Sequence, residues 1–214
     1  MRKLTATLAT LTALSLGLSG GLVANASDHA TFMSAFDHDD RSFYSIDVDE
    51  QTPAPQQVVV RAHLHAPADV VFAKTADHRN LRDWVPMIEH LVEVDHSNSA
   101  TPGENDVGTA RVCVFGGDTL TEDIVGWEEG RAYAYSVRQY EGSPTTDHLG
   151  VITVEDDGMG GSYITWRQFF EPVGFKGRFM MPRVMSYVMD SALENLIEEY
   201  GGGELVSEKE ARSS

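Results

Sequence analysis

Two opposite charges sit inside strand-like apolar runs, and the chemistry this chain could do starts there. In "GTARVCVFG" (108–116) alternation puts Arg111, Cys113 and Phe115 on one face, and in "TLTEDIVGW" (119–127) it groups Leu120, Glu122 and Ile124. Gly116-Gly117-Asp118 reads as a turn between the two runs, so Arg111 and Glu122 lie on adjacent strands and can pair across the hairpin. A buried charge is tolerated when it is paired. Inside a cavity such a pair can orient a polar ligand head; alternatively Arg111 polarises an oxygen while Glu122, or a tyrosine, shuttles protons. On an outer face the same pair would be structural. Arg111 and Glu122 are the candidate catalytic residues and also candidate ligand contacts.

Aromatic and methionine residues add apolar wall. Tyr133 and Tyr135 share a face in "AYAYSVRQY", as do Trp166 and Phe170 in "SYITWRQFFEP", with Gln168 between them. Met180, Met181, Met185 and Met189 cluster near the start of a helical stretch, and methionine adapts to irregular apolar space. Trp84 closes a polar segment at "DWVP". The candidate ligand-binding set is Trp84, Arg111, Phe115, Glu122, Tyr133, Tyr135, Trp166, Met181, Met185 and Met189. Core packing alone would account for any one of these aromatics or methionines.

Other chemistries find little support. His63 and His65 form an HxH pair, and Asp37-His38-Asp39-Asp40 is acidic, but neither has a third ligand at a recognisable spacing, so no metal is called for. There is no Gly-rich phosphate loop, HExxH or GxSxG, so no cofactor and no nucleophile-elbow hydrolase is indicated. Cys113, alone among apolar neighbours, reads as packing rather than a reactive thiol, and a single cysteine forms no internal disulfide. A formal net charge of −17 argues against nucleic acid as a partner.

Arg2 and Lys3 precede an uncharged, largely apolar run that ends in Ala24-Asn25-Ala26, the pattern of a secretory signal peptide. Export to the periplasm or the medium is expected, with no stable membrane insertion after cleavage. The domain plan is a signal peptide (1–26), an acidic extension or linker (27–55), one domain (56–201) and a disordered tail (202–214). "FYSIDV" in the extension is expected to dock as a short strand.

The elements that must position the candidates follow from periodicity. "VVVRAHLHA" is strand-like, Pro67 opens a short helix, and Asp77 is expected to cap a second one that ends near Trp84, before Pro86. Six further strand-like runs start at "MIEHLVEVDH" and finish at "SYITWRQFFEP", separated by turn clusters. A long amphipathic helix then runs from Pro182 to Tyr200, and three glycines stop it. One helix can cover a twisted seven-stranded sheet only if the sheet curls around it, and such a curl leaves space between them.

This order resembles the START/Bet v 1-like (SRPBCC) superfamily, in its bacterial polyketide cyclase/dehydrase-type branch. "HAPADVVFAKTADHRNLRDWVPMIEHLVEV", "VGTARVCVFGGDTLTEDIVGWEEGRAYAYSV", "SYITWRQFFEP" and the last helix carry the likeness, over roughly residues 56–201. The resemblance implies an α+β helix-grip fold, a seven-stranded curved antiparallel sheet around a C-terminal helix. It also implies an apolar ligand between sheet and helix, and no universal catalytic motif. A pocket of roughly 300–1,000 Å³ would suit a lipid, quinone or polyketide-like molecule. The leading expectation is an exported carrier. The alternatives are a cyclase or dehydratase using Arg111 and Glu122, and an accessory protein of a periplasmic oxidation system, with another exported protein as partner.

Overall fold

The computed structural model describes residues 40–90 and 92–206. The expected signal peptide, residues 27–39 of the expected extension and residues 207–214 of the expected tail lie outside the described residues.

A hairpin of two very short strands, β1 (Ser42–Phe43) and β2 (Ile46–Asp47), precedes the main sheet. Then come β3 (Gln56–Leu64), α1 (Ala68–Thr75) and a 3₁₀ helix (His78–Asp83). The meander consists of β4 (Glu93–Asp95), β5 (Ala110–Phe115), β6 (Asp118–Glu128), β7 (Ala132–Val137), β8 (Thr145–Asp156) and β9 (Ser162–Pro172). Two helices, α2 (Gly174–Phe179) and α3 (Met181–Glu199), and a final strand β10 (Gly203–Val206) complete the described chain. The strands form one antiparallel sheet in the order β10-β3-β9-β8-β7-β6-β5-β4.

Seven of its eight strands are those expected, and the eighth corrects the expected tail. Residues 203–206 pair with β3, Gly203 opposite Leu64 and Val206 opposite Arg61. Gly201 and Gly203 have φ of +71° and +138°, so the chain can reverse after α3 and satisfy an otherwise open strand edge. A Cβ on Gly203 would lie 2.2 Å from the His63 carbonyl oxygen. Among the described residues of the run from Met87 to His96, strand is confined to β4, with one bridge from Ile88 to Phe115.

The second short helix also departs from expectation. It is 3₁₀ and kinked at Asn80, which leaves helical geometry (φ −101°, ψ 17°), and Asp77 makes no side-chain capping bond. Its Oδ2 accepts instead from Asn80 Nδ2 at 2.6 Å. Trp84 ends the segment, buried, with its carbonyl accepting from Asn195 Nδ2 of α3 at 3.0 Å. The corner at Trp84 and Pro86 is thereby tied to the long helix.

Both faces of the sheet are covered. On one, Val188, Met189, Ala192, Leu193 and Leu196 of α3 pack against Trp84, Trp166, Ile164 and Phe170. On the other, Phe43, Ile46 and Val48 of the expected linker bury against Ala132, Ala134, Leu149, Val151 and Phe169. Arg41 holds this segment down through the carbonyls of Ala54 (2.9 Å) and Thr52 (2.6 Å) and the Asp49 carboxylate. Ile46 fits a notch at Gly126, where a Cβ would meet its Cγ1 at 2.9 Å. The hairpin is thus a structural part of the domain, and Ile46→Ala is expected to lower stability by about 2–5 kcal/mol in urea denaturation, a large-to-small core loss.

Candidate functional site

Inward-facing side chains of β5 to β9 meet α3 and the corner after the 3₁₀ helix around a cavity of about 60 Å³. Trp84, Arg111, Phe115, Glu122 and Tyr133 line it, as do Tyr135, Trp166, Met185 and Met189. Met181 does not. It lies at the start of α3, half-buried against the edge of the main core. The volume falls far below the expected pocket and accommodates only a few water molecules. The reason is steric: Trp84, Tyr133 and Met189 are fully buried and fill the space under the helix.

Arg111 and Glu122 are opposite each other in the β5–β6 register, both on the cavity side, with Nε to Oε2 at 2.5 Å. The Arg111 guanidinium also lies 4.6 Å from the centre of the Tyr135 ring. Its Nη1 is 3.0 Å from His78 Nδ1. A guanidinium only donates, so Nδ1 is the acceptor and the neutral imidazole carries its proton on Nε2. Burial, reinforced by Arg111, drives the His78 pKa down to about 2, so the ring stays neutral. For Arg111, burial alone would lower the pKa. Attraction to Glu122, with the Tyr133 and Tyr135 hydroxyls, outweighs it and holds the cation.

A second set of bonds continues the polar wall. The Tyr135 oxygen accepts from Trp166 Nε1 (3.0 Å) and Gln168 Nε2 (2.8 Å), while Gln168 Oε1 accepts from His148 Nε2 (2.7 Å). Tyr133 donates to the Thr75 carbonyl at 2.9 Å. Tyr135 can lie flat across the sheet only because its β8 partner is Gly150, where a Cβ would come 2.2 Å from the ring. Burial, then Glu122, pushes the Cys113 thiol up to about 12, so the thiol is inert packing at neutral pH.

His78, behind Arg111, and His148 and Gln168, on the wall, were not among the candidates. Alternation in "HLGVITVED" does put His148 on the face of Ile152, so that signal was available. His78 shares the buried side of the 3₁₀ helix with Leu81 three residues on, a spacing that marks a helix face but not a polar role for the histidine. His63 and His65 lie elsewhere: His63 Nε2 bonds Asp157 Oδ2 at 2.8 Å, and its ring stands 5.6 Å from that of His65. Among the described residues no group of three or more His, Cys, Asp or Glu could hold a metal ion.

A curled antiparallel sheet gripping one long helix, with an internal cavity that is polar at one end, defines a protein of the START/Bet v 1-like helix-grip class. The family model for polyketide cyclase/dehydrase and lipid transport proteins matches residues 55–201, and the chain belongs to that family. Among solved structures it is similar to the protein XoxI from Bacillus cereus, with 20% identity and a TM-score of 0.55 over 67% of this chain and 94% of that one. A START superfamily protein from Mycobacterium smegmatis matches at 10% identity and a TM-score of 0.54, covering 67% and 96%. Major latex-like protein 151 from Panax ginseng matches at 11% and 0.52, covering 67% and 95%. At such identities the likeness concerns the fold. None of the curated proteins compared matches the chain.

Two outcomes follow from the buried cluster. Arg111→Met leaves Glu122 without its partner and is expected to cost about 3–5 kcal/mol, much of it recovered in Arg111→Met/Glu122→Leu, as read by denaturation of the three proteins. His78 behaves differently with pH. Its folded pKa lies below the unfolded value, so its contribution is complete above about pH 6.5 and is lost as the pH falls toward about 2. Between about pH 7.5 and pH 5 the wild type is expected to lose about 2 kcal/mol more stability than His78→Asn. Parallel curves for the two proteins would refute that assignment.

Proposed function

We propose that this protein is an exported carrier for a small amphipathic molecule whose oxygen-bearing head sits against Tyr135 and Trp84. The observation that carries the reading is a pair of hydrogen-bond donors on the cavity wall. The Tyr135 oxygen already accepts two bonds, and its own proton meets no acceptor among the described residues. Trp84 Nε1 is buried and likewise has no acceptor among them. Buried donors are normally satisfied, and two on one cavity wall suit a carbonyl, quinone or carboxylate oxygen. Phe115, Leu120 and Met185, all half-buried, add apolar wall, with Leu120 and Phe115 further along the β5–β6 hairpin than Arg111 and Glu122. A ligand larger than a few waters must displace side chains, and Met185 and Met189 are the ones best able to yield. The basic-apolar N-terminus supports export.

A cyclase or dehydratase is the second reading, favoured by one observation: Arg111 and Glu122 are both on the cavity wall and in contact. In that reading Arg111 polarises a substrate carbonyl and Glu122 moves a proton. The two readings separate in what copurifies.

Protein exported by its own host, purified without detergent and denatured, is expected to release one carbonyl-bearing apolar compound at near-stoichiometric yield, seen by mass spectrometry of the organic extract. Tyr135→Phe keeps the ring and loses the donor, and occupancy is expected to fall about three- to tenfold. An empty extract, together with turnover of a polyketide-like carbonyl compound, would replace the carrier with the enzyme.

A further inference from the structure

We propose that α2 and the first turn of α3 form a docking surface for an anionic lipid bilayer. Five of the ten large hydrophobic residues exposed among the described residues fall between Val173 and Tyr187. Phe175 is 74% exposed, Phe179 49% and Met180 50%. The two phenylalanine rings, about one turn apart, lie with centroids 4.8 Å apart and planes tilted by 39°. Their exposure is imposed by the fold. Gly177, on the opposite side of α2, is buried where a Cβ would lie 2.2 Å from the Pro144 carbonyl oxygen, and Val173 N–H bonds that same oxygen at 2.8 Å. The back of α2 is therefore locked to the loop before β8, and its aromatic side can only face outward.

The charge of this segment names the occupant. From Val173 to Met189 the sequence carries Lys176, Arg178 and Arg183 and no acidic residue, in a chain whose formal net charge is −17. Exposed phenylalanines among cations are the composition of a helix that lies in a headgroup layer. At physiological salt, charges farther than about 8 Å are largely screened, so the local cations outweigh the distant acidic surface at contact. Docking of this kind is peripheral, and no helix among the described residues is long and apolar enough to cross a membrane. Met185, which lines the cavity, belongs to the same helix end. On the carrier reading, docking would therefore bring the apolar end of the cavity to the bilayer. The docking itself does not depend on that reading.

Flotation with vesicles of phosphatidylcholine containing about one-third phosphatidylglycerol tests the surface. Wild type is expected to float with them at about 0.1 M salt, to bind pure phosphatidylcholine far less, and to be released as salt is raised. Phe175→Ser/Phe179→Ser and, separately, Lys176→Glu/Arg178→Glu are each expected to lower the bound fraction about tenfold. Their melting curves should match wild type, since these side chains are exposed, and neither variant alters a cavity residue. Extracted ligand should be unchanged in both, so a failed docking and a failed carrier reading remain distinct results. Equal flotation of all three proteins, or no flotation of wild type, would overturn the proposal. So would a concentration-dependent dimer in sedimentation that both variants abolish, because the patch would then be an interface between copies.

Discussion

Burying the guanidinium of Arg111 is the constraint around which the site is organised. A cation in an apolar interior needs an anion and a full set of acceptors, and each one supplied here fixes another element. Glu122 lies directly opposite on β6, so the charge pair sets the β5–β6 register. His78 accepts on the far side, which holds the 3₁₀ helix against the sheet. The face of Tyr135 covers the guanidinium, and its ring needs the bare backbone of Gly150 on β8. The Tyr135 oxygen then reaches Trp166 and Gln168 on β9. One buried charge thus couples five consecutive strands and a helix through contacts that leave little freedom to any of them.

Much of this was legible from side-chain type and alternation, and the rest was not for identifiable reasons. Period-two patterning grouped Arg111 with Phe115, Glu122 with Leu120, Tyr133 with Tyr135 and Trp166 with Phe170, because a strand has only two faces, while the structure decides that Arg111, Glu122, Tyr133, Tyr135 and Trp166 all face the cavity. Pro67, Pro182 and the glycines after Tyr200 marked helix ends through φ and missing donors, which act locally. What failed was non-local. The strand at 203–206 forms because β3 offers a free edge, and the composition of "GGGELV" does not express that. That "FYSIDV" docks was expected, but where it lands was not, because Phe43, Ile46 and Val48 find their places only through the notch at Gly126 and through Phe169. His78 was missed because its role is set by a residue 33 positions away. Cavity volume is the extreme case, since it is a small difference between the span of the fold and the sum of many side chains.

The cavity has a rigid end and a yielding one, and this asymmetry follows from how each is made. The polar end is built on hydrogen-bonded strands, with Arg111, Tyr135, Trp166, Gln168 and His148 held by one another. Moving any of them breaks a buried polar contact, which is expensive in a low-dielectric interior. The other end is formed by Phe115, Leu120 and Met185, which are half-buried and held by packing alone. Apolar contacts are non-directional, so these residues can rearrange at little cost if a ligand replaces the area they lose. A molecule entering here would find its polar partners already placed and its apolar surroundings adjustable. A molecule with a polar head and an apolar tail would thus meet strict demands on its head and lenient ones on its tail, although the resting cavity is only about 60 Å³.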